Sequence, residues 1–143
     1  MDDAPRTDPH TPDADLPTDD AGWRQRLDRE AYQVLRHEAT ERPGSSPLND
    51  EWRPGTYVCA GCGAPLYRAD TKFDAHCGWP SFFEALPGAF ETSVDYRMGV
   101  PRVEFHCARC GGHHGHVFDD GPRPTGQRYC SNGIALRFVP DVG

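Results

Sequence analysis

Along the first third of the chain, Trp23, Leu27, Ala31, Val34 and Leu35 recur at intervals of about three and four and fall on one helical face, with Asp20 ahead of them as a capping residue. The pattern predicts one amphipathic helix over about 21–39, whose apolar stripe is the seam that packs on the rest of the domain. Pro43, Gly44, Ser45, Ser46 and Pro47 stop that helix and predict an irregular connector to about Gly55. Beyond it the pattern changes period. Short runs at 56–58, 65–67, 103–105, 116–118 and 134–139, rich in β-branched and aromatic residues and separated by turns bearing Gly or Pro, predict a mainly β domain. Residues 1–19 offer Asp, Pro and Thr with almost nothing to bury, the pattern of a solvated, disordered tail with no catalytic role. The chain therefore divides into an acidic tail over 1–20 and one domain over 21–143.

Composition adds a constraint. The chain has 143 residues, of which 36% are hydrophobic, 15 are Gly and 14 are Pro, so one turn-rich core with little apolar burial is expected, and it needs a staple. The net charge of −7 is a property of the tail: seven Asp against Arg6 lie within the first 20 residues, leaving 15 acidic and 14 basic residues in the remainder. A near-neutral domain shows no nucleic-acid footprint. The start lacks the basic and apolar regions of a secretory signal, and no apolar run approaches the roughly 18 residues of a membrane span. A soluble cytoplasmic protein is the expectation. In that reducing setting, six Cys point to metal ligation or redox chemistry rather than to three structural disulfides.

The spacing of the cysteines separates those uses. Cys59-Ala-Gly-Cys62 and Cys107-Ala-Arg-Cys110 are two CxxC knuckles, each followed by Gly and separated by 44 residues. Two residues between thiolates let a tight turn aim both sulfurs at one ion, and two such turns complete a tetrahedral four-sulfur shell. One structural Zn2+ held by Cys59, Cys62, Cys107 and Cys110 is expected. Four sulfurs leave no open coordination position, so the ion would hold the fold together and would not activate water.

Cys77, before Gly78-Trp79-Pro80-Ser81-Phe82, and Cys130, after Arg128-Tyr129, lie outside the knuckles. Each reads either as a small buried hydrophobe or as a redox thiol. Arg128 and the His113-His114-Gly115-His116 run supply cationic and hydrogen-bonding groups for a Cys130 thiolate, and Cys77 lies in a turn-prone stretch where its sulfur can stay accessible. The three histidines also admit a metal reading, but no carboxylate accompanies them at ligand spacing. Phe118 reads either as core or as a pocket wall.

With these pieces assembled, the chain from about Trp23 to Val139 resembles the methionine-R-sulfoxide reductases, the MsrB family. The resemblance rests on Thr40-Glu41-Arg42, the paired CxxC knuckles, Cys77-Gly78-Trp79-Pro80-Ser81-Phe82, His113-x-Gly115-His116-Val117-Phe118, Gly121-Pro-x-Pro-Thr125-Gly126 and Arg128-Tyr129-Cys130-x-Asn132. It implies two antiparallel sheets with an N-terminal helix, structural zinc remote from the active site, and reduction of the R epimer of methionine sulfoxide in proteins. In that family Cys130 is the nucleophile and Cys77 the recycling thiol. Trp79, His113, His116, Arg128, Asn132 and Phe118 line the substrate site, and thioredoxin is the reductant. Such an enzyme is expected to act as a monomer, away from nucleic acid and membrane.

The residue types suit that chemistry. A thiolate attacks a sulfoxide sulfur only as the oxygen is protonated or hydrogen-bonded, which His113, His116 or Arg128 can provide. Trp79 and Phe118 can hold the methyl group. Ala75-His76, ahead of Cys77, departs from the small residues common in the family. A zinc-held binding module without catalysis, and a sensor whose zinc thiolates react, are the competing readings.

Overall fold

In the computed structural model, residues 15–97 and 99–141 are described. Of the disordered tail expected over 1–20, residues 1–14 lie outside them. Within the described part, Leu16 packs against the core and Asp19 caps the first helix by accepting from Gly22 N at 2.9 Å.

The single helix expected over 21–39 is two helices, α1 (Asp20–Arg26) and α2 (Arg29–His37). The break has a local cause. Asp28 accepts from Ala31 N at 2.9 Å, so it acts as an N-cap, and Leu27 before it is extended. An Asp inside a helix forgoes that bond, whereas at a cap it satisfies an otherwise orphaned N–H. The apolar stripe survives the break: Trp23, Ala31, Val34 and Leu35 are buried and Leu27 packs partly against them. The connector that follows contains a 3-10 turn at Pro47–Asp50, capped by Ser46.

The β part forms two antiparallel sheets, as expected. A three-stranded sheet has the order β2-β1-β9, from β1 (Gly55–Cys59), β2 (Pro65–Arg68) and β9 (Leu136–Pro140). A six-stranded sheet has the order β3-β4-β8-β7-β6-β5, from β3 (Lys72–Phe73), β4 (Ser81–Phe82), β5 (Phe90–Asp95), β6 (Arg102–Cys107), β7 (His113–Phe118) and β8 (Arg128–Ser131). The run expected at 134–139 enters β9 through a 3-10 turn at Gly133–Ala135. Strands β3, β4, β5 and β8 were not among the expected runs.

Between the sheets, Tyr57, Leu66, Tyr67, Phe82, Phe105 and Leu136 form the core, with Ala31, Val34 and Leu35 of α2 against it. Tyr67 and Phe82 stack at 3.8 Å between centroids, and Tyr57 meets the edge of Phe82 at 5.0 Å. Each such ring contributes about 1.5–3 kcal/mol by leaving water. That small aromatic core is what the low hydrophobic content allows.

The opposite face of the six-stranded sheet collects the polar chemistry, and strand alternation explains why. Glu104 pairs with His116, His116 with Cys130, and Phe118 with Arg128, so these side chains project together, while Tyr129 and Phe105 point to the core.

Candidate active site and cysteine cluster

Cys130 is held on both sides by ladder pairing: its Cα partners are His116 on β7 and Ser81 on β4. Cys77 reaches it from the bend that precedes β4. The two sulfurs are 3.5 Å apart, and Cys77 Sγ also lies 3.3 Å from Ser81 Oγ. The bend is shaped by a close approach. Gly78 has φ +94°, a Cβ there would lie 2.8 Å from Pro43 Cβ, and Gly78 O accepts from Gly44 N at 2.7 Å and Asn49 Nδ2 at 3.1 Å.

The thiol pair shares its protons unevenly. The S–H of Cys130, and more weakly Ser81, a backbone hydrogen bond from Trp79 and the Arg128 charge, hold the Cys77 thiol down at about 5 against burial. The charge so placed on Cys77, with burial, pushes Cys130 well above the ordinary thiol range, and Arg128 opposes it. The thiolate is the species that alkylates, so reaction of Cys77 with iodoacetamide is expected to switch on as pH rises through about 5. In Cys130→Ala the largest cause is gone, and the onset is expected to move up toward the ordinary thiol value near 9.0. An unmoved onset would remove the neighbouring thiol as its source.

Above Cys130 lies a cleft of about 280 Å³ lined by Thr40, Trp79, Arg102, Gly115, His116, Phe118, Arg128, Cys130 and Asn132. Five of the six residues anticipated for a substrate pocket are thus brought together with the anticipated nucleophile. Phe118 faces this space, with the Arg128 guanidinium 4.3 Å above its ring, and Arg128 is held in turn by Asp120 at 2.8 Å. Trp79 is fixed by donating from Nε1 to the Glu41 carbonyl at 2.9 Å. Asn132 Nδ2 donates to His114 O at 2.9 Å, and its Oδ1 accepts from Glu41 N at 2.9 Å. The Glu41 carboxylate closes the clamp by accepting from Gly133 N and Ile134 N at 2.7 and 2.9 Å.

His113 is the exception. It is 1% exposed and does not line the cleft; it stands behind His116, 5.7 Å from it between ring centroids and 3.7 Å from Glu104. The pairing of Phe105 with Gly115 and of His106 with His113 leaves His114 as an extra residue, a bulge. That bulge puts His113 and His116 on the same face, although a regular strand would point residues three apart in opposite directions. Burial pushes the His113 imidazole down to about 4, so near neutral pH it is an uncharged support for the site.

Several participants escaped the sequence. Asp95, at the end of β5, accepts from His116 Nε2 at 2.9 Å and so orients that ring. Arg97 grips the same carboxylate through its backbone N–H and guanidinium, which together with His116 hold Asp95 well below the usual carboxylate range. Arg102 lines the cleft, and its buried Nε finds no acceptor among the described residues. No spacing rule links these residues to the histidine motif; only the alternation of β5 and β6 could have pointed to them.

The four knuckle sulfurs lie within 4.8 Å of one another, with Cys59 and Cys110 at 3.8 Å and Cys62 and Cys107 at 3.5 Å. A zinc tetrahedron with bonds of about 2.3 Å has edges of about 3.8 Å, so the donor set fits such an ion in both chemistry and spacing. Gly63 and Gly111, at φ +79° and +77°, supply the left-handed turn that closes each knuckle. His114 Nε2 lies 3.3 Å from Cys59 Sγ. The three neighbouring histidines do not share one candidate metal group. Glu104, His106 and His113, and likewise Asp95, Glu104 and His116, come within ligand distance, but Arg97 occupies both carboxylates.

Residues 27–140 match the SelR domain family. The chain is 54% identical over 124 residues to the peptide methionine sulfoxide reductase MsrB of Leifsonia xyli subsp. xyli, covering 85% of this chain and 89% of that protein. It is 52% identical over 122 residues to the peptide methionine sulfoxide reductase MsrB of Agrobacterium fabrum, covering 85% and 90%. It is 48% identical over 121 residues to the chloroplastic peptide methionine sulfoxide reductase B2 of Arabidopsis thaliana, covering 83% of this chain and 59% of that longer protein.

Proposed function

The chain belongs to the MsrB family of peptide methionine sulfoxide reductases, and from that premise we propose that Cys130 reduces the R epimer of methionine sulfoxide in proteins, with Cys77 as the resolving thiol. The observation that carries this reading is the Cys77–Cys130 sulfur distance of 3.5 Å beneath a side-chain-sized cleft.

The steps balance as follows. The Cys130 thiol proton can pass along the sulfur contact to Cys77 as Cys130 attacks the sulfoxide. The sulfoxide oxygen transfers to Cys130, leaving a thioether and a sulfenic acid. Cys77 then attacks the sulfenic sulfur. The S–S bond forms, the S–O bond breaks, and the hydroxyl leaves as water after taking up a proton. A dithiol, which we take to be thioredoxin, reduces the disulfide.

Arg128, which lines the cleft, is placed to donate to the sulfoxide oxygen and its charge favours negative charge building there, while His116, whose Nε2–H is given to Asp95, forms the neighbouring wall. Trp79 and Phe118 form the apolar wall for the methyl group. A site that gives the methyl group to Trp79 and the oxygen to a donor discriminates handedness, because the S epimer exchanges the two. Binding the wrong epimer would then leave a donor unpaired against a methyl group.

We also propose zinc as the occupant of Cys59, Cys62, Cys107 and Cys110. When bound it supplies four metal–sulfur bonds and no open catalytic position. Four cysteines gathered as a metal donor set rather than paired in structural disulfides support a reducing, cytoplasmic setting. No helix among the described residues is long and apolar enough to cross a membrane. Both thiols and the whole cleft come from one chain, which supports action as a monomer.

The decisive assay offers separated R and S epimers of a methionine sulfoxide peptide with dithiothreitol. Methionine is expected from the R form alone, and an untouched R form would overturn the assignment.

A further inference from the structure

His113 and His116 each stand beside a carboxylate, Glu104 and Asp95. His114, between them, has none beside it among the described residues. It is fully buried, its ring meets the edge of Phe90 at 5.5 Å between centroids, and the bulge leaves it without a Cα partner on β6. Its Nε2 lies 3.3 Å from Cys59 Sγ, whereas its Nδ1 finds no partner among the described residues.

These contacts decide where the ring carries its proton. A neutral imidazole has one N–H and one bare nitrogen. With a sulfur at one nitrogen and nothing at the other, the proton belongs on Nε2, where it has an acceptor. That acceptor has charge to share. Four thiolates carry two more negative charges than a zinc ion cancels. Cys59 and Cys62 are fully buried, so donors aimed at these sulfurs take the place of the water an exposed site would have. Gly61 N already points at Cys59 Sγ from 3.3 Å, and the imidazole adds a second donor.

The same residue reaches the substrate cleft through its main chain. His114 O accepts from Asn132 N at 2.8 Å and from Asn132 Nδ2 at 2.9 Å. Asn132 lines the cleft and is joined through the Glu41 backbone to Trp79. One residue thus has its ring on the cysteine cluster and its carbonyl on a wall of the cleft.

We propose that His114 is a positioning residue shared by the two sites: its Nε2–H hydrogen-bonds the Cys59 thiolate of the metal-loaded cluster, and this anchor fixes the bulge whose carbonyl seats Asn132 in the cleft. The inference rests on the zinc reading of the cluster and on the substrate role of the cleft given above. It gives the cluster an influence on substrate binding although none of its four sulfurs lines the cleft.

The first test needs no variant. In the zinc-loaded full chain, long-range 1H–15N spectra of the His114 ring are expected to show a proton on Nε2 and none on Nδ1, and a proton on Nδ1 overturns the proposal. The second compares His114→Leu, which keeps an apolar body, with His114→Gln, whose amide places an N–H near the position of Nε2. In cobalt-loaded protein, His114→Leu is expected to move the sulfur-to-metal charge-transfer band to longer wavelength, because the sulfur lone pairs lose a donor. It is also expected to weaken metal affinity about tenfold and, at saturating metal, to raise KM for a methionine sulfoxide peptide about tenfold with kcat little changed. His114→Gln should restore most of each. An unmoved band, a KM that stays put while the band moves, or a Gln variant no better than Leu overturns the shared role. Metal content and reduction of the R epimer are measured on the unsubstituted chain. A chain that binds no metal, or leaves the R form untouched, overturns the zinc or the reductase reading and this inference with it, whereas failure of His114 alone leaves both standing.

Discussion

Replacing Cys130 with serine is expected to remove methionine formation even within a single turnover, lowering the rate by about a thousandfold or more. The size follows from what the residue does. A hydroxyl at this position is a far weaker nucleophile than a thiol, and no other free sulfur lines the cleft. Cys77 is the informative contrast. Cys77→Ser leaves the cleft walls and Cys130 in place, so it should yield about one methionine per enzyme and then stop with thioredoxin as the reductant. Its hydroxyl cannot form the disulfide. Rapid-quench measurement of methionine separates the two variants: a full burst from Cys130→Ser would remove it as nucleophile, and repeated thioredoxin-driven cycles in Cys77→Ser would remove Cys77 as resolver.

The second large effect concerns stability. Structural zinc in small domains contributes about 10–16 kcal/mol, against about 5–15 kcal/mol of net stability for a typical domain. Stripping the metal, or changing Cys107 to Ser, is therefore expected to unfold the protein at ordinary temperature. Cys107 is 1% exposed, so its replacement cannot be rescued by solvent. The cluster also joins elements far apart in the chain: Cys59 ends β1, and Cys107 ends β6 on the other sheet. Circular dichroism melts with and without a strong chelator provide the check, and an unchanged Tm in a demonstrably metal-free sample would refute the role.

Local sequence signals carried the parts of this reading that depend on local geometry. The CxxC knuckles were legible because two thiols and a glycine within five residues dictate one turn. The apolar stripe of 23–35 was legible because its period is intrinsic to a helix, but the break at Asp28 was not: capping and helix continuation compete there, and the side-chain bond to Ala31 N decides. Strand β5 escaped because Phe90-Glu91-Thr92-Ser93-Val94-Asp95 contains no apolar run, and much of it is exposed. Asp95 was lost with it.

The site depends on pairings between strands distant in sequence. His116 beside Cys130 follows from the β7–β8 register, and His113 behind His116 follows from the bulge at His114. The motif placed both histidines near the thiol without distinguishing a wall residue from a support. Glu41 likewise enters the sequence only as part of the Thr40-Glu41-Arg42 motif, with no role of its own, whereas its carboxylate binds two backbone N–H groups more than ninety residues away.

The supports of the two thiols are unlike. Cys130 is woven between β4 and β7, so any displacement of its backbone is shared by neighbouring strands. Cys77 rides on a bend strapped to the 43–50 connector through Gly44 N and Asn49 Nδ2. The oxidising and recycling halves of the cycle are therefore mechanically separable. A lengthened or stiffened connector can slow or hasten disulfide closure while leaving oxygen transfer as it was, so this connector is where the recycling rate can be tuned.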